Sequence, residues 1–428
     1  MIPYLVVANK KGEIFEYPEY FMTGYDSLKQ PRLPKREELI EAPFGTIPMI
    51  LPHRKPIGFH IKKKKFEIVE KFGDEEIFAV SFFMPPAYTM TLRSAYKTLE
   101  NAPILPLFAY TAGGWYGNTF WTTGVRIDPD PRQNPDRFNR KRIEKKAYEM
   151  LKKFPKNRLA KHLIENCCLE YCCPAAQNWV LNRWEAPLPT SPYCNARCIG
   201  CISHQPENTV PPTQYRIKFI PTVREIVEIA IEHLNTAPKP IVSFGQGCEG
   251  EPLLQAETIA KAIKEIRKHT DKGTININTN GAIPSAVEKL CKSGIDSFRI
   301  SLNSAQKIFY ERYYNPINYT FEDVMESMKI IKKYDKWLSI NYFIFPGFTD
   351  TERELYNLCK MMEKIKIDLI QMRNLNIDPE WYIKKVLKDY KEEGFGILNW
   401  MVKVKSSFPH VKFGYFNPYL KKQKGEKQ

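Results

Sequence analysis

The sequence lacks any apolar run long enough to cross a membrane, and its first residues show no basic segment followed by an apolar one. We therefore expect a protein that is neither exported nor embedded in a membrane. It also lacks a Walker loop, a helix-turn-helix pattern and the Asp-x-His-x-x-Gly run typical of cobalamin binding. The last absence disfavours methylcobalamin chemistry.

Cysteine is sparse and unevenly placed. Ten of the 428 residues are cysteine, and the segments 167–173 and 194–201 hold seven of them. No cysteine follows Cys359. Clustered thiols in a chain of this size are typical of metal binding in a reducing compartment, so we expect a cytoplasmic protein.

Acidic residues are outnumbered, since the net charge is +16. Most of this excess lies outside residues 186–374, and basic runs occur at Lys62–Lys65 and at 421–428. An anionic or macromolecular partner, nucleic acid included, is one explanation. A lysine-rich surface that serves solubility is the other.

The chain is long enough for two or three domains, and its pattern divides it into four segments. We predict a β-rich N-terminal region at 1–135, a helical connector at 136–185, a barrel at 186–375 and a C-terminal α/β extension at 376–428. A hairpin within residues 110–121 is expected to bury its aromatic side chains. The strands predicted for the first region are Tyr4–Ala8, Glu67–Val69, Ile77–Phe83, Leu107–Thr111 and Thr119–Val125.

Strand and helix patterns alternate from residue 186 onward. Such alternation predicts parallel strands joined by right-handed helical crossovers, an α/β fold of the partial (β/α)6 barrel type. The predicted strands are 240–244, 273–279, 296–302, 337–345 and 367–373, and the predicted helices are 222–235, 256–270, 284–293, 320–334 and 351–365. A possible short first strand precedes the cysteine segment 194–201.

Polar or glycine-bearing turns follow the predicted strands. In a barrel of parallel strands, all carboxyl ends open on one face, so these turns would meet at one mouth. They are the cysteine loop 194–201 and residues 245–252, 280–281, 301–304, 346–347 and 373–374.

The cysteine loop has the spacing C-x3-C-x2-C, formed by Cys194, Cys198 and Cys201. Three thiolates on one loop can hold a [4Fe–4S] cluster and leave one iron open to a substrate or cofactor. A zinc site completed by His204 is the alternative that this spacing leaves open.

These residues resemble the radical S-adenosylmethionine (SAM) superfamily over residues 186–375. The resemblance implies that the three cysteines are cluster ligands and that SAM is bound by the polar groups at the barrel mouth. Those predicted cofactor-binding residues are Gly250, Glu251, Pro252, Ser301, Asn303, Gln371 and Arg373. Two departures from the family pattern occur. Gly200 stands where an aromatic residue is common, and Glu249 replaces a glycine, so either Glu249 or Glu251 would reach the SAM amino group. We favour Glu251, because Pro252 fixes the register.

The resemblance implies an enzyme that reductively cleaves SAM to a 5′-deoxyadenosyl radical, which abstracts hydrogen from a substrate. It further implies an electron donor such as ferredoxin or flavodoxin. The residues do not decide between an oxidoreductase, a transferase and a lyase. Two hypotheses of other classes are a non-catalytic iron–sulfur or zinc scaffold and a nucleic-acid-binding module with a redox-sensing cluster.

The remaining cysteines allow two interpretations. Cys167, Cys168, Cys172 and Cys173 would form an auxiliary cluster or metal site, or would be small packing residues, with Cys168 and Cys172 on one helix face. Cys248 lies in the predicted SAM loop, where it would donate hydrogen to a product radical or have no role. Cys291 and Cys359 are expected in the core.

Overall fold

The computed structural model describes residues 1–28, 30–206 and 209–420. The basic run at 421–428 lies outside the described residues. Within these ranges, no helix combines the length and the apolar character needed to cross a bilayer.

Among the described residues, the N-terminal region contains fourteen short strands. Twelve of them form one sheet, with the central order β10-β14-β13-β1-β2-β6-β12, while β3 and β11 pair separately. The strands are β1 (Tyr4–Asn9), β2 (Ile14–Phe21), β3 (Gly24–Tyr25), β4 (Leu39–Glu41), β5 (Ile47–Leu51), β6 (Arg54–His60), β7 (Lys65–Ile68), β8 (Lys71–Phe72), β9 (Glu75–Phe83), β10 (Tyr88–Met90), β11 (Arg93–Ser94), β12 (Tyr96–Thr98), β13 (Gly113–Tyr116) and β14 (Thr119–Arg126).

The predicted hairpin is present as β13 and β14. Gly117 and Asn118 at its tip both have positive φ, the conformation that a tight two-residue turn requires. Trp115 and Phe120 pack edge to face at 4.7 Å, and both are half-buried. The strand predicted at 107–111 is wrong, since only Thr111 forms isolated bridges. The prolines just before this segment lack the N–H that a strand ladder needs.

The connector is helical, as predicted. It contains α1 (Arg140–Lys153), α2 (Arg158–His162), a π-helical segment (Leu163–Glu170) and α3 (Pro174–Val180). Pro174 begins α3 at the position where a missing N–H costs nothing. Cys172 adopts a left-handed φ of 50° and lies outside the helices, so it does not share a helix face with Cys168.

The barrel consists of a parallel sheet whose seven strands follow chain order, β15 to β21. This confirms the predicted alternation and the short first strand. The strands are β15 (Glu185–Pro187), β16 (Ile241–Phe244), β17 (Thr274–Thr279), β18 (Ser297–Leu302), β19 (Trp337–Ile344), β20 (Leu369–Asn374) and β21 (Lys412–Gly414). The helices are α4 (Val223–Thr236), α5 (Ala256–His269), α6 (Pro284–Ser293), α7 (Lys307–Tyr314), α8 (Phe321–Lys333) and α9 (Glu352–Lys364).

The C-terminal extension contributes α10 (Pro379–Lys385), α11 (Ile397–Ser407) and the seventh strand, β21. Ile370 of β20 is the register partner of Phe413 in β21. The extension therefore continues the barrel sheet rather than forming a separate unit.

The N-terminal region lies against the carboxyl ends of the last barrel strands. Thr89 Oγ1 donates to the Met372 carbonyl at 2.8 Å, and Asn374 Nδ2 donates to the Tyr88 carbonyl at 3.1 Å. Arg54 and Asp378 form an ion pair at 3.2 Å with both side chains buried. The β-rich region is thus fixed beside the barrel mouth.

Candidate active site at the barrel mouth

The loop that carries Cys194, Cys198 and Cys201 follows β15 and is held by α7. Two of its backbone amides donate to the carbonyls that end this helix, from Ile199 to Tyr313 at 3.0 Å and from Arg197 to Tyr314 at 2.9 Å. The three cysteines are partly exposed free thiols.

The three thiols interact with one another. The pKa of Cys198 is raised well above its usual range, first by burial and then by the charges of Cys201 and Cys194. Deprotonating all three without a bound cation is therefore unfavourable. Three thiols on one loop supply the soft ligands that an iron–sulfur cluster needs.

The loop at 245–252 is joined to the cysteine loop by backbone hydrogen bonds. Gly250 N donates to the Ser191 carbonyl at 2.6 Å, and Glu251 N donates to the Tyr193 carbonyl at 2.8 Å. A Cβ at Gly250 would overlap the Tyr193 carbonyl, so only glycine fits there. Pro252 is buried and begins a 3-10 turn that follows this loop.

Glu249 and Glu251 are both buried, but they bond to different parts of the barrel. Glu249 accepts from the backbone of Thr190 at 2.7 Å and from Gln246 N at 2.7 Å, so it ties the two loops together. Glu251 accepts from Asn280 N at 2.9 Å and from the Thr279 hydroxyl, which places it beside the end of β17. Burial raises the pKa of each carboxyl to about 7.

Arg216 is a site residue that the sequence pattern did not reveal. Its guanidinium donates to the Cys201 thiol at 3.5 Å and to the Ser203 hydroxyl at 3.0 Å. It also lowers the pKa of Cys194 and Cys198 against the larger effect of burial. A basic residue fifteen positions beyond a cysteine has no local signature, because only the fold brings the two together.

Tyr313 occupies the space beside Gly200. A Cβ at Gly200 would lie 2.7 Å from the Tyr313 hydroxyl, and Tyr313 is only 3% exposed. The aromatic side chain that is missing before the third cysteine is therefore replaced, in space, by one from α7.

Ser301 lies near the end of β18, and Asn303 directly follows the strand. Ser301 is half-buried on the same face of the strand as Arg299, since alternate residues share a face. Asn303 is buried and donates to the Phe309 carbonyl at 3.0 Å, but its Oδ1 has no partner among the described residues.

Gln371 belongs to a hydrogen-bonded network inside the barrel. Arg299 donates to its Oε1 at 3.1 Å, and its Nε2 donates to Asn417 Oδ1 at 3.1 Å. Asn417, from the C-terminal extension, in turn donates to Glu185 at 2.7 Å. Both ends of the Gln371 amide are thus engaged, and its contact with SAM stays a prediction.

Arg373 lies close to Arg299 inside the barrel. It donates to the Tyr415 carbonyl at 3.0 Å, and its guanidinium stacks on the Tyr415 ring at 4.2 Å. In the described part of the chain neither arginine forms an ion pair, and the Nε of each is buried without a partner. The pKa of Arg299 falls to about 9, through burial first and then the charge of Arg373, while Glu185 partly opposes this.

The remaining cysteines belong to other segments than the loop at 194–201. Cys248 is buried beside His162 and Cys167 of the connector, and Cys173 is half-buried nearby. Cys291 is buried in the core as expected, and Cys359 is half-buried. His204, the alternative zinc ligand, is exposed to solvent.

Residues 188–359 match the family model described as the radical SAM superfamily. This segment is a radical SAM domain. The match begins directly after β15 and includes the cysteine loop and the loop at 245–252. The superfamily uses a [4Fe–4S] cluster and SAM, and its members are enzymes that require a reductant and a substrate.

Solved radical SAM structures are similar to this chain at low identity. A structure of anSMEcpe with bound AdoMet is 18% identical over 54% of this chain and 64% of its own, with a TM-score of 0.40. HydG from Carboxydothermus hydrogenoformans is 14% identical over 64% of this chain and 70% of its own, with a TM-score of 0.36. A radical SAM methyltransferase from Sphaerobacter thermophilus is 9% identical over 78% of both chains, with a TM-score of 0.39.

The chain spans between half and two thirds of the length of the anSMEcpe structures. No curated protein matches the sequence. The comparisons therefore give the superfamily and leave the substrate open.

Proposed function

We propose that Cys194, Cys198 and Cys201 ligate the [4Fe–4S] cluster of this radical SAM enzyme. The support is their place on one loop, the charge of Arg216 beside Cys201, and the loop at 245–252 hydrogen-bonded to the cysteine loop. When bound, the cluster and SAM supply a 5′-deoxyadenosyl radical by one-electron cleavage of the sulfonium.

The groups proposed to hold SAM lie on the loop at 245–252 and at the end of β18. Gly250 lets this loop pack against the cysteine loop at Tyr193, Glu251 places a carboxylate at the end of β17, and Asn303 keeps an unpartnered oxygen just after β18. Ser301, near the end of β18, completes this proposed set.

The N-terminal region is proposed to shield this mouth from water. Arg93 of β11 is 4% exposed, donates to the Pro346 carbonyl at 3.0 Å and lies over the Phe345 ring at 4.5 Å. It thereby fixes the β-rich region over the end of β19. Exclusion of water protects a reactive radical from side reactions.

The substrate is proposed to carry an anionic group, a carboxylate or phosphate, that binds between Arg299 and Arg373. The observation that carries this proposal is the pair of adjacent guanidinium groups without an acidic partner, each with a buried, unpartnered Nε. Guanidinium binds planar oxyanions in two-point contacts, so an anion there would satisfy both groups.

Sulfate is the probe for this site. Thermal unfolding of the SAM-loaded holoenzyme is compared in sulfate and in chloride at equal ionic strength. We expect sulfate to raise the melting temperature of the wild type, and Arg299→Met and Arg373→Met to abolish the shift, while Lys218→Met, which removes an exposed charge, retains it. An equal shift in all four proteins would refute the anion site.

The SAM carboxylate is a second anion that could use the same arginines. The dissociation constant of SAM for each variant distinguishes a substrate anion from the SAM carboxylate as the ligand of these arginines. A substrate site predicts that SAM affinity in Arg299→Met stays within about twofold of the wild type, whereas a tenfold loss would assign Arg299 to SAM instead.

Ferredoxin or flavodoxin is the proposed electron donor, and the cytoplasm the proposed location, on the basis of the superfamily and of the clustered free cysteines. Neither the non-catalytic scaffold nor the nucleic-acid-binding module is favoured, because the radical SAM match covers the whole cysteine loop and the loop at 245–252.

A further inference from the structure

A second group of soft ligands lies outside the cysteine triplet. One ligand atom each from His162, Cys167 and Cys248 lies within 4.8 Å of the other two. The His162 Nε2 and the Cys167 Sγ are 3.6 Å apart. In a tetrahedral zinc site, the bond lengths to sulfur and nitrogen place two such atoms about 3.5 Å apart.

The π-helical segment explains how His162 and Cys167 meet. Five positions along an α-helix rotate a side chain by about 140° from the first, so the two would face apart. The segment Leu163–Glu170 instead has the wider π-helical turn, in which residues five apart are neighbours. Such wide turns are costly and occur frequently at functional sites.

The third proposed ligand, Cys248, comes from the barrel and not from the connector. Cys248 belongs to the loop at 245–252, eighty-one positions beyond Cys167. Cys167 and Cys248 are 2% and 4% exposed. The ligand atoms of these three side chains are thus close enough together for a single metal ion to bind all of them.

We propose that His162, Cys167 and Cys248 bind one Zn²⁺ ion, distinct from the iron–sulfur cluster, as three of its four tetrahedral ligands. Two thiolates and an imidazole are ligands that zinc prefers, and a bound dication compensates the buried thiolate charge.

The zinc site joins the connector to the loop that the proposed function assigns to SAM. The Cys248 carbonyl already accepts a hydrogen bond from Ile217 N at 2.8 Å, and Gly250 and Glu251 follow two and three positions later. An ion bound by these residues would hold the loop at 245–252 against the connector. The inference about zinc itself does not depend on SAM binding.

Metal content of the anaerobically reconstituted holoenzyme tests the proposal. Zinc and iron are measured together by mass spectrometry, so that zinc substituted into the cysteine triplet would be recognised by a matching loss of iron. We expect about one zinc per chain in the wild type and in Cys359→Ala, which removes a half-buried cysteine elsewhere. We expect His162→Ala, Cys167→Ala and Cys248→Ala to lose it while keeping full iron.

X-ray absorption at the zinc edge identifies the zinc ligands in the wild-type protein. This measurement needs no variant, so it tests the proposal even if a variant fails to fold. The proposal requires a mixed shell with sulfur at about 2.3 Å and nitrogen at about 2.0 Å. Zinc no higher in the wild type than in Cys167→Ala, an all-oxygen shell, or a Cys167–Cys248 disulfide in anaerobically prepared protein would overturn the assignment. A failure here would leave SAM cleavage by the cluster unaffected.

Discussion

Gly250 and Tyr193 approach each other so closely that a side chain at Gly250 would overlap the Tyr193 carbonyl. At the same point Gly250 N donates to the Ser191 carbonyl at 2.6 Å. This contact joins the two loops that are proposed to bind the cluster and SAM, so each loop fixes the position of the other.

The first prediction concerns this contact. Gly250→Ala must displace the two loops, because the overlapping atom belongs to the backbone and cannot rotate away. We expect SAM affinity to fall at least tenfold, measured by calorimetry on the reconstituted protein. Gly73→Ala is the control, since nothing lies near its Cβ and only its left-handed φ costs about 1 kcal/mol. Unchanged SAM affinity in Gly250→Ala would contradict the account.

Arg216 provides the second prediction. A cation beside a cluster ligand favours the reduced, more negative cluster. Arg216→Met should therefore lower the reduction potential by about 50 mV, which corresponds to roughly 1 kcal/mol for one electron. The potential is measured by redox titration followed by EPR. Lys218→Met removes the same charge from an exposed position and should change the potential far less; an equal change would show a general charge effect.

The third prediction is that the stability contributed by an ion pair between the connector and the barrel depends on pH. Arg158 of α2 pairs with Glu225 of α4 at 2.8 Å. Burial alone would raise the pKa of Glu225, but hydrogen bonds from Arg158 and Thr222 outweigh it and lower the pKa from 4.5 to about 2. Because the folded pKa is the lower one, the ionised form stabilises the fold at neutral pH. That contribution disappears as pH falls from about 4.5 towards 2.

Glu225→Gln tests this prediction. We expect the variant to be less stable by about 1 kcal/mol at pH 7, a value discounted for the exposed Arg158 partner. The difference in melting temperature should shrink between pH 5 and pH 3. A difference that stays constant over this range would mean that shape, and not charge, determines the effect.

The barrel could be predicted because its signals are local. The strand ending at Phe244 and the helix beginning near Ala256 differ in period, and Gly or Pro separates them. The same alternation places the cysteine loop and the loop at 245–252 at one mouth, so the main parts of the site were predictable.

Features that depend on tertiary contacts could not be predicted from the sequence. The helix α7 reads KIFYERYY, and its aromatic residues have modest helix propensity, so its packing on the cysteine loop decides its structure. The residues of the π-helical segment 163–170 show no pattern that distinguishes it from an α-helix. The strand β21 has only three residues, and its pairing with β20 gives no sequence signal. The positions of Arg216 and Tyr313 depend on these contacts.

We expect the cysteine triplet to support reductive cleavage of SAM. This expectation is checked by 5′-deoxyadenosine formation, quantified by mass spectrometry after anaerobic reconstitution with iron and sulfide and addition of SAM and a strong reductant. Wild type and Cys291→Ala, a buried cysteine outside the site, should form the product, and Cys198→Ala should not. Equal product from Cys198→Ala, or none from a wild type that binds SAM and shows the cluster by EPR, would contradict the account.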